Sequence, residues 1–420
     1  MTIRAFSGGA GCGKTYRLME MLTEYLEQFP LENGRKILAL TFMHGSRRRL
    51  NERMRKIPML GTKYECSTID SFASKILYRW QALAAHLGFV IPNYSNYDQI
   101  CEIAATLLER DVVVRWVAGT FPVLVLDEAQ DLTPVRLRII CALSVQLKVF
   151  AASDEFQCLD EHLRPNPACD WLTAVANIEH LDVQWRTQVP ALLDAAKALR
   201  SGAAPVSTKP FKMVHTPKHQ LAGAYIANEL GWYGQNRRVA IITPTAGRFA
   251  NDVINWVGMN TSSNGNGPYL IKWERSEGDA ADALVAQLVL ADGASLIEAD
   301  TAVQACGNPH VARDMMRWLN IQRRACGRTN VTRAEVVDVI RQSLSVWRRM
   351  HQDNDKGFRA MTIHGAKNRE FDNVIVLWPA AVGGSDDQKR RLLYNAITRA
   401  KSRCLVLVQA KKLMESAPFV

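Results

Sequence analysis

The segment Gly8-Gly9-Ala10-Gly11-Cys12-Gly13-Lys14-Thr15 constrains this chain more than any other. Its spacing, G-x-x-x-x-G-K-[ST], belongs to a loop between a strand and a helix. A short strand candidate precedes it. After it, Leu18, Leu22, Tyr25 and Leu26 form one helical stripe. Glycines such as Gly11 and Gly13 let backbone N–H groups wrap a phosphate, and the helix N-terminus adds positive potential. Lys14 can neutralise terminal phosphate oxygens, and Thr15 can ligate Mg²⁺. Dinucleotide binding would need G-x-G-x-x-G, a spacing these glycines lack.

A second site completes the chemistry. The apolar run Val123 to Leu126 leads into Asp127-Glu128-Ala129-Gln130-Asp131. A buried strand ending in paired carboxylates is what Mg·ATP hydrolysis requires. Asp127 is expected to hold Mg²⁺, and Glu128 to orient and deprotonate the attacking water. ATP and Mg²⁺ are therefore the expected substrate and cofactor.

Further short apolar runs read as parallel strands covered on both faces: Ile37 to Phe42, Val149 to Ala152, Val239 to Thr243, Val374 to Leu377 and Leu405 to Val408. Helical patterns lie between them, which gives an α/β class with parallel sheets. Two stretches interrupt the alternation, 75–118 and 251–355. Both read as short, mostly helical insertions, the second opening with a turn-rich run from Asn260 to Pro268.

The net charge of +11 favours a polyanionic partner. Its arginines cluster at Arg47-Arg48-Arg49 with Arg53 and Arg55, Arg237-Arg238, Arg323-Arg324, Arg348-Arg349 and, with a lysine, Lys389-Arg390-Arg391. Each cluster reads equally well as a solvated helix face. The nine cysteines show no CxxC or zinc spacing, and no apolar run reaches the roughly 18 residues of a membrane span. The first six residues lack a signal-peptide core. A cytoplasmic protein without a membrane partner is expected.

The sequence Asp127-Glu128-Ala129-Gln130-Asp131 after this phosphate loop resembles the superfamily 1 helicases of the UvrD/Rep type. Other motifs follow in the family's order. Leu40-Thr41-Phe42-Met43-His44 looks like a strand end that touches single-stranded DNA, with Phe42 under a base and His44 beside it. Ser67-Thr68-Ile69-Asp70-Ser71-Phe72 resembles the next DNA motif, in which Thr68 would meet a phosphate. Ser153-Asp154-Glu155-Phe156-Gln157 looks like the coupling motif, where Gln157 would sense the γ-phosphate. Leu181-Asp182-Val183-Gln184-Trp185-Arg186 is similar to the opening of a second motor domain, with Arg186 reaching the γ-phosphate. The segment from Met361 to Phe371 resembles His-Ser-Ala-Lys-Gly-Leu-Glu-Phe: Thr362 and His364 would face DNA and Glu370 the ribose. Tyr394-Asn395-Ala396-Ile397-Thr398-Arg399-Ala400 matches the last motif, with Arg399 as a second arginine finger.

The resemblance implies two RecA-like P-loop domains: 1–74 with 119–180, and 181–250 with 356–420. ATP would sit in the cleft between them. Translocation along single-stranded DNA, 3′→5′ in relatives, and unwinding at single-strand/duplex junctions are the implied activities. A monomer, with room for a protein partner, is expected. Alternatives are an RNA-directed motor and a nucleotide-gated DNA-binding subunit of a larger complex. The chain also departs from the family. Trp185 stands for a tyrosine and Tyr16 for an arginine, so two rings could clamp adenine. Asn368 replaces a glycine, and asparagine tolerates a left-handed backbone. Asp160 and His162 stand where DNA-stacking rings are usual. The family's adenine-reading glutamine segment is not found ahead of the phosphate loop.

Overall fold

The computed structural model describes residues 3–42, 44–90, 96–234, 237–274, 277–351 and 357–420, with only the backbone at 44–46, 277–280, 325–326 and 345–351. The chain starts β1 (Ile3–Gly8), α1 (Lys14–Gln28), β2 (Ile37–Thr41), α2 (His44–Met54), β3 (Tyr64–Thr68), α3 (Ile69–Arg79), α4 (Gln81–His86), α5 (Tyr97–Leu108) and α6 (Asp111–Thr120). It continues through β4 (Val123–Asp127), α7 (Pro134–Ser144), β5 (Lys148–Ser153), α8 (Pro167–Val175) and β6 (Ile178–Leu181). These six strands form one parallel sheet in the order β3-β2-β4-β5-β1-β6.

Both faces of this sheet are buried, which explains the unbroken apolar runs. Leu38, Leu40, Leu124, Leu126, Val149 and Ala151 share a core with α3, α5, α6 and α7. Their neighbours Ile37, Ala39, Val123, Val125, Phe150 and Ala152 pack on the other side with Leu18 and Leu22 of α1 and Leu50 of α2. The stretch expected as an insertion at 75–118 is helical, and its helices share the core of the first sheet. Strand register then sets the site. Thr41 pairs with both Thr68 and Asp127, and Ser7 with Ser153, so the motifs after these strands emerge along one edge. Ligand crevices of parallel sheets lie at such carboxyl edges.

The second half has α9 (Pro190–Ser201), β7 (Phe211–His215), α10 (His219–Tyr233), β8 (Val239–Thr243), α11 (Arg248–Met259) and β9 (Lys272–Trp273). After an excursion come β12 (Phe358–Thr362), α16 (Ile363–Ala366), β13 (Phe371–Trp378), α17 (Asp386–Ile397) and β14 (Ala400–Val408). Their sheet is also parallel, in the order β7-β14-β13-β8-β12-β9. One face packs on α9 and α17 through residues such as Ile242, Val376, Leu199 and Ile397. The other packs on α10 and α11 through Ile241, Leu407, Ile226 and Val253. Two six-stranded parallel sheets flanked by helices establish the α/β fold, and both lie in one compact unit.

The excursion is a second compact unit, residues 274–355, to which the short stretch 96–99 also belongs. It contains α12 (Glu277–Val285), β10 (Ala294–Ser295), α13 (Leu296–Ala305), α14 (Pro309–Cys326), β11 (Asn330–Val331) and α15 (Arg333–His351). Val303, Val311, Met315, Val336 and Ile340 give it a core of its own. The expected insertion edge at 251 needs correction. The apolar stripe of α11 completes the core of the second sheet and β9 joins its edge, so residues 251–273 belong to that layer. Among the described residues, no helix is long and apolar enough to cross a membrane.

Candidate active site

The phosphate loop is shaped by three glycines with separate reasons. Gly8 ends β1 beside Leu181 of β6, where a Cβ would lie 2.6 Å from the Leu181 carbonyl oxygen. Gly11 and Gly13 hold φ of 86° and 77°, which favours glycine. Gly13 caps α1 without a side-chain bond, and the first turn carries no acidic residue. Its N–H groups therefore meet an anion without competition. Lys14 Nζ donates to the carbonyls of Gly8 and Gly9 at 2.8 and 3.1 Å and lies 3.7 Å from Asp154. Thr15 Oγ1 donates to Asp127 Oδ2 at 3.0 Å. Beside this pair is a cavity of about 30 Å³, lined by Thr15, Arg49, Arg53, Asp127, Glu128 and Asn368. That is the room of one water.

The carboxylates at the end of β4 differ in character. Burial, and next the charge of Glu128, pushes Asp127 up to about 6. Burial acts the same way on Glu128, yet Lys14 and Lys367 outweigh it and hold Glu128 below the usual carboxylate range. An ionised Glu128 is the better base. Gln130 Nε2 donates to it at 2.6 Å and fixes its direction. Its backbone is left-handed, φ 59° and ψ 46°, a conformation costing a non-glycine residue roughly 1–3 kcal/mol. Gln157 Nε2 donates to Asp154 Oδ2 at 2.7 Å, while Gln157 Oε1 accepts from Arg399 Nη2 at 3.4 Å.

The second half reaches this edge directly. Arg186 Nε donates to Glu370 Oε1 at 3.0 Å and its Nη1 to the Thr398 carbonyl at 2.9 Å. Burial raises Glu370, but Arg186 and Lys401 dominate and hold it at about 2. Arg399 is buried and bonded to the Asn395 carbonyl at 2.9 Å. Its guanidinium is depressed to about 9, chiefly by burial and then by Arg186 and Arg49. Trp185 N–H donates to the Gly11 carbonyl at 2.9 Å, while its indole edge stands against Gly13. The rings of Trp185 and Tyr16 are 71% and 66% exposed, so both have faces available for a base. Asn368 sits at φ 66°, the left-handed turn anticipated for it.

Lys14, Thr15, Asp127, Glu128, Gln157, Arg186, Glu370 and Arg399 thus lie in one connected region. Several partners were missed from sequence. Lys367 Nζ donates to both oxygens of Asp131 at 2.6 Å, a buried pair joining the two halves. Both residues stand in recognised motifs, but only the fold pairs them. Arg200 donates to Asp154 at 2.8 Å and to the Tyr394 hydroxyl at 3.1 Å. That hydroxyl oxygen accepts from Ala10 N at 2.8 Å. No sequence signal marks Arg200.

The expected DNA contacts fare unequally. Phe42 is half-buried at the β2 end, with the Arg136 guanidinium 5.4 Å from its ring centre. His364 is exposed. The His44 side chain lies outside the described residues. Thr68 is corrected: it is 1% exposed, and its hydroxyl accepts from Ser71 N at 3.2 Å as the cap of α3. Thr362 likewise caps α16, accepting from Gly365 N at 3.2 Å. Both threonines serve helix starts, Thr68 buried and Thr362 half-buried.

Residues 2–161 match the family model of an AAA domain, and residues 357–407 match that of the UvrD-like helicase C-terminal domain. In this order they support a UvrD/Rep-like superfamily 1 helicase, and they imply nucleotide binding. No curated protein sequence matches the chain. Similar solved structures are the helicase nonstructural protein 10 of an arterivirus, at 12% identity and TM-score 0.40, and the same protein in complex with DNA, also 12% and 0.40. The chain is 99% covered in each, against 62% and 63% of those proteins. The PRRSV helicase matches at 12% and 0.40 over 100% of this chain and 55% of that one. The chain therefore spans less than two thirds of these proteins, and likeness at this level says nothing of function.

Proposed function

We propose that this protein is an ATP-driven motor that moves along single-stranded DNA, 3′→5′, and separates duplex at junctions. The observation that carries the reading is the contact of Gln157, from the first half, with Arg399, from the second, beside Glu128 and Lys14. Such contact has a purpose if the nucleotide's state governs how the halves meet.

The residues fit Mg·ATP. Thr15 and Asp127 are already together, and Mg²⁺ commonly takes one or two protein ligands plus phosphate oxygens and water. Bound there, Mg²⁺ would supply charge neutralisation on the β- and γ-phosphates. Lys14 would leave its two carbonyls for the phosphates. Glu128 would take the proton of the attacking water. Arg186 and Arg399 would stabilise charge on the transferred phosphoryl group, an effect of about 10³–10⁵ in related chemistry. Trp185 and Tyr16 would hold the base, and Glu370 the ribose. Because both arginines come from the second half, closure would favour hydrolysis, and loss of the γ-phosphate would release it. Phe42 and His364 would alternate their grip on the strand. We place this monomeric enzyme in the cytoplasm.

A second reading, translocation without strand separation, draws on one feature. Asp160 accepts from His162 N at 3.0 Å and serves as a helix cap where relatives carry a stacking ring. Steady-state ATPase with and without single-stranded DNA, beside Glu128→Gln, tests the proposal. Strong stimulation that vanishes in the variant is expected. ATPase indifferent to DNA would sink the motor reading, and stimulation without strand displacement would favour the second.

A further inference from the structure

Of the arginines in the first cluster, Arg48 behaves as a surface residue: its Nε meets Glu52 at 3.0 Å on the exposed side of α2. Arg49 does not. With Arg53, one turn on, it turns into the cavity that also holds Thr15, Asp127 and Glu128. Arg49 Nη2 is buried and has no hydrogen-bond partner among the described residues. A guanidinium nitrogen shut away from water in this manner is unfavourable unless an acceptor joins it.

Its surroundings say what acceptor is missing. Burial pushes the Arg49 guanidinium down, and the charges it feels are Glu370, Arg186, Glu128 and Asp127. Glu370 is committed elsewhere, with Oε1 on Arg186 and Oε2 on Lys401 at 3.2 Å. Glu128 Oε2 is taken by Gln130, and Asp127 Oδ2 by Thr15. Arg49 and Arg186 both act on Arg399 as like charges. Three guanidiniums thus crowd one edge, and the one from the phosphate-loop half has a donor to spare. A group with several anionic oxygens, such as a terminal phosphate, can serve the spare Arg49 donor and the neighbouring guanidiniums together.

We propose that Arg49 is a third arginine for the terminal phosphate of the nucleoside triphosphate, supplied from the same half as Lys14. This rests on the nucleotide reading above. Since α2 packs on the same sheet that leads into the phosphate loop, the contact of Arg49 does not require the second half to move. It would distinguish triphosphate from diphosphate already in the ground state, whereas Arg186 and Arg399 would act with closure.

The test uses the full chain carrying Glu128→Gln and measures binding of Mg·AMP-PNP and Mg·ADP by calorimetric titration. Adding Arg49→Met, which keeps the aliphatic stem, should raise Kd for AMP-PNP about ten- to a hundredfold, the effect of one charge-assisted hydrogen bond, and leave ADP within about twofold. Unchanged ADP binding also certifies the fold. Arg49→Lys should fall between, since one ammonium cannot replace the planar fork. Should the methionine variant not fold, the lysine variant decides by the same ratio. An unaltered AMP-PNP affinity, or equal weakening of both nucleotides, would overturn the proposal and leave Arg49 as a counter-charge to Glu370. If the Glu128→Gln background binds neither nucleotide, the nucleotide reading itself fails and this inference with it.

Discussion

Replacing Lys367 with methionine strands the Asp131 carboxylate. In the native protein both its oxygens receive Lys367 Nζ at 2.6 Å, and the two side chains are 6% and 8% exposed. Removing one member of such a pair commonly costs about 3–5 kcal/mol, because the remaining charge stays buried and unmatched. Asp131 can escape by taking a proton. Against an unfolded value near 3.9, that uptake costs about 4 kcal/mol at pH 7, which caps the electrostatic loss. Burial already pushes Asp131 up, with Lys367 pulling it back. Without Lys367 the folded value rises further. A raised folded value gives stability that is present below the unfolded value and lost as pH rises. The deficit of the variant should therefore be largest at neutral pH and shrink by about 1.4 kcal/mol per pH unit on acidification, until the pH reaches the native protein's own raised Asp131 value. Urea unfolding followed by tryptophan fluorescence at several pH values measures it. Adding Asp131→Asn should recover much of the loss. A deficit under about 1 kcal/mol at pH 7, or one that ignores pH, would show that this pair does not carry a desolvated charge.

Two further outcomes follow from the site. Trp185→Ala should raise the ATP KM about three- to tenfold with kcat nearly unchanged, as expected for lost base stacking in the ground state; a fall in kcat at constant KM would contradict that role. Glu370, held at about 2 against an ordinary 4.5, contributes stability above 4.5 that is lost as pH falls towards 2. Glu370→Gln should thus cost about 1–2 kcal/mol at neutral pH, reduced by partial solvent screening, and the gap to the native protein should close between about pH 5 and pH 2. A gap constant over that range would remove the ion pairs with Arg186 and Lys401 as its origin.

Much of this was legible before the fold was seen, for identifiable reasons. Glycine spacing and the acidic pair after β4 are local, and each dictates its own backbone. Strands such as Ile37–Thr41 and Val239–Thr243 announced themselves because both faces are buried. Where sequence failed, distance was the cause. The Lys367–Asp131 pair spans 236 positions, and Arg200 reaches Asp154 from the end of α9. Arg49 was hidden differently, since its neighbours Arg47 and Arg48 made it look like one more surface charge. Thr68 misled because a threonine that caps a helix from a buried position reads the same as one facing a ligand. The edge at 251 was misplaced because turn-forming residues follow α11 without ending the layer it completes.

One hydrogen bond has a wider consequence. Trp185, at the entry to the second half, binds by its N–H to the carbonyl of Gly11 in the middle of the phosphate loop. The peptide plane that carries this carbonyl also carries the Cys12 N–H, which donates to the Gly9 carbonyl at 3.2 Å, so both of its polar ends are held. Any change in the tilt of that plane is therefore passed to the start of the second half through backbone alone, with no relay of side chains in between.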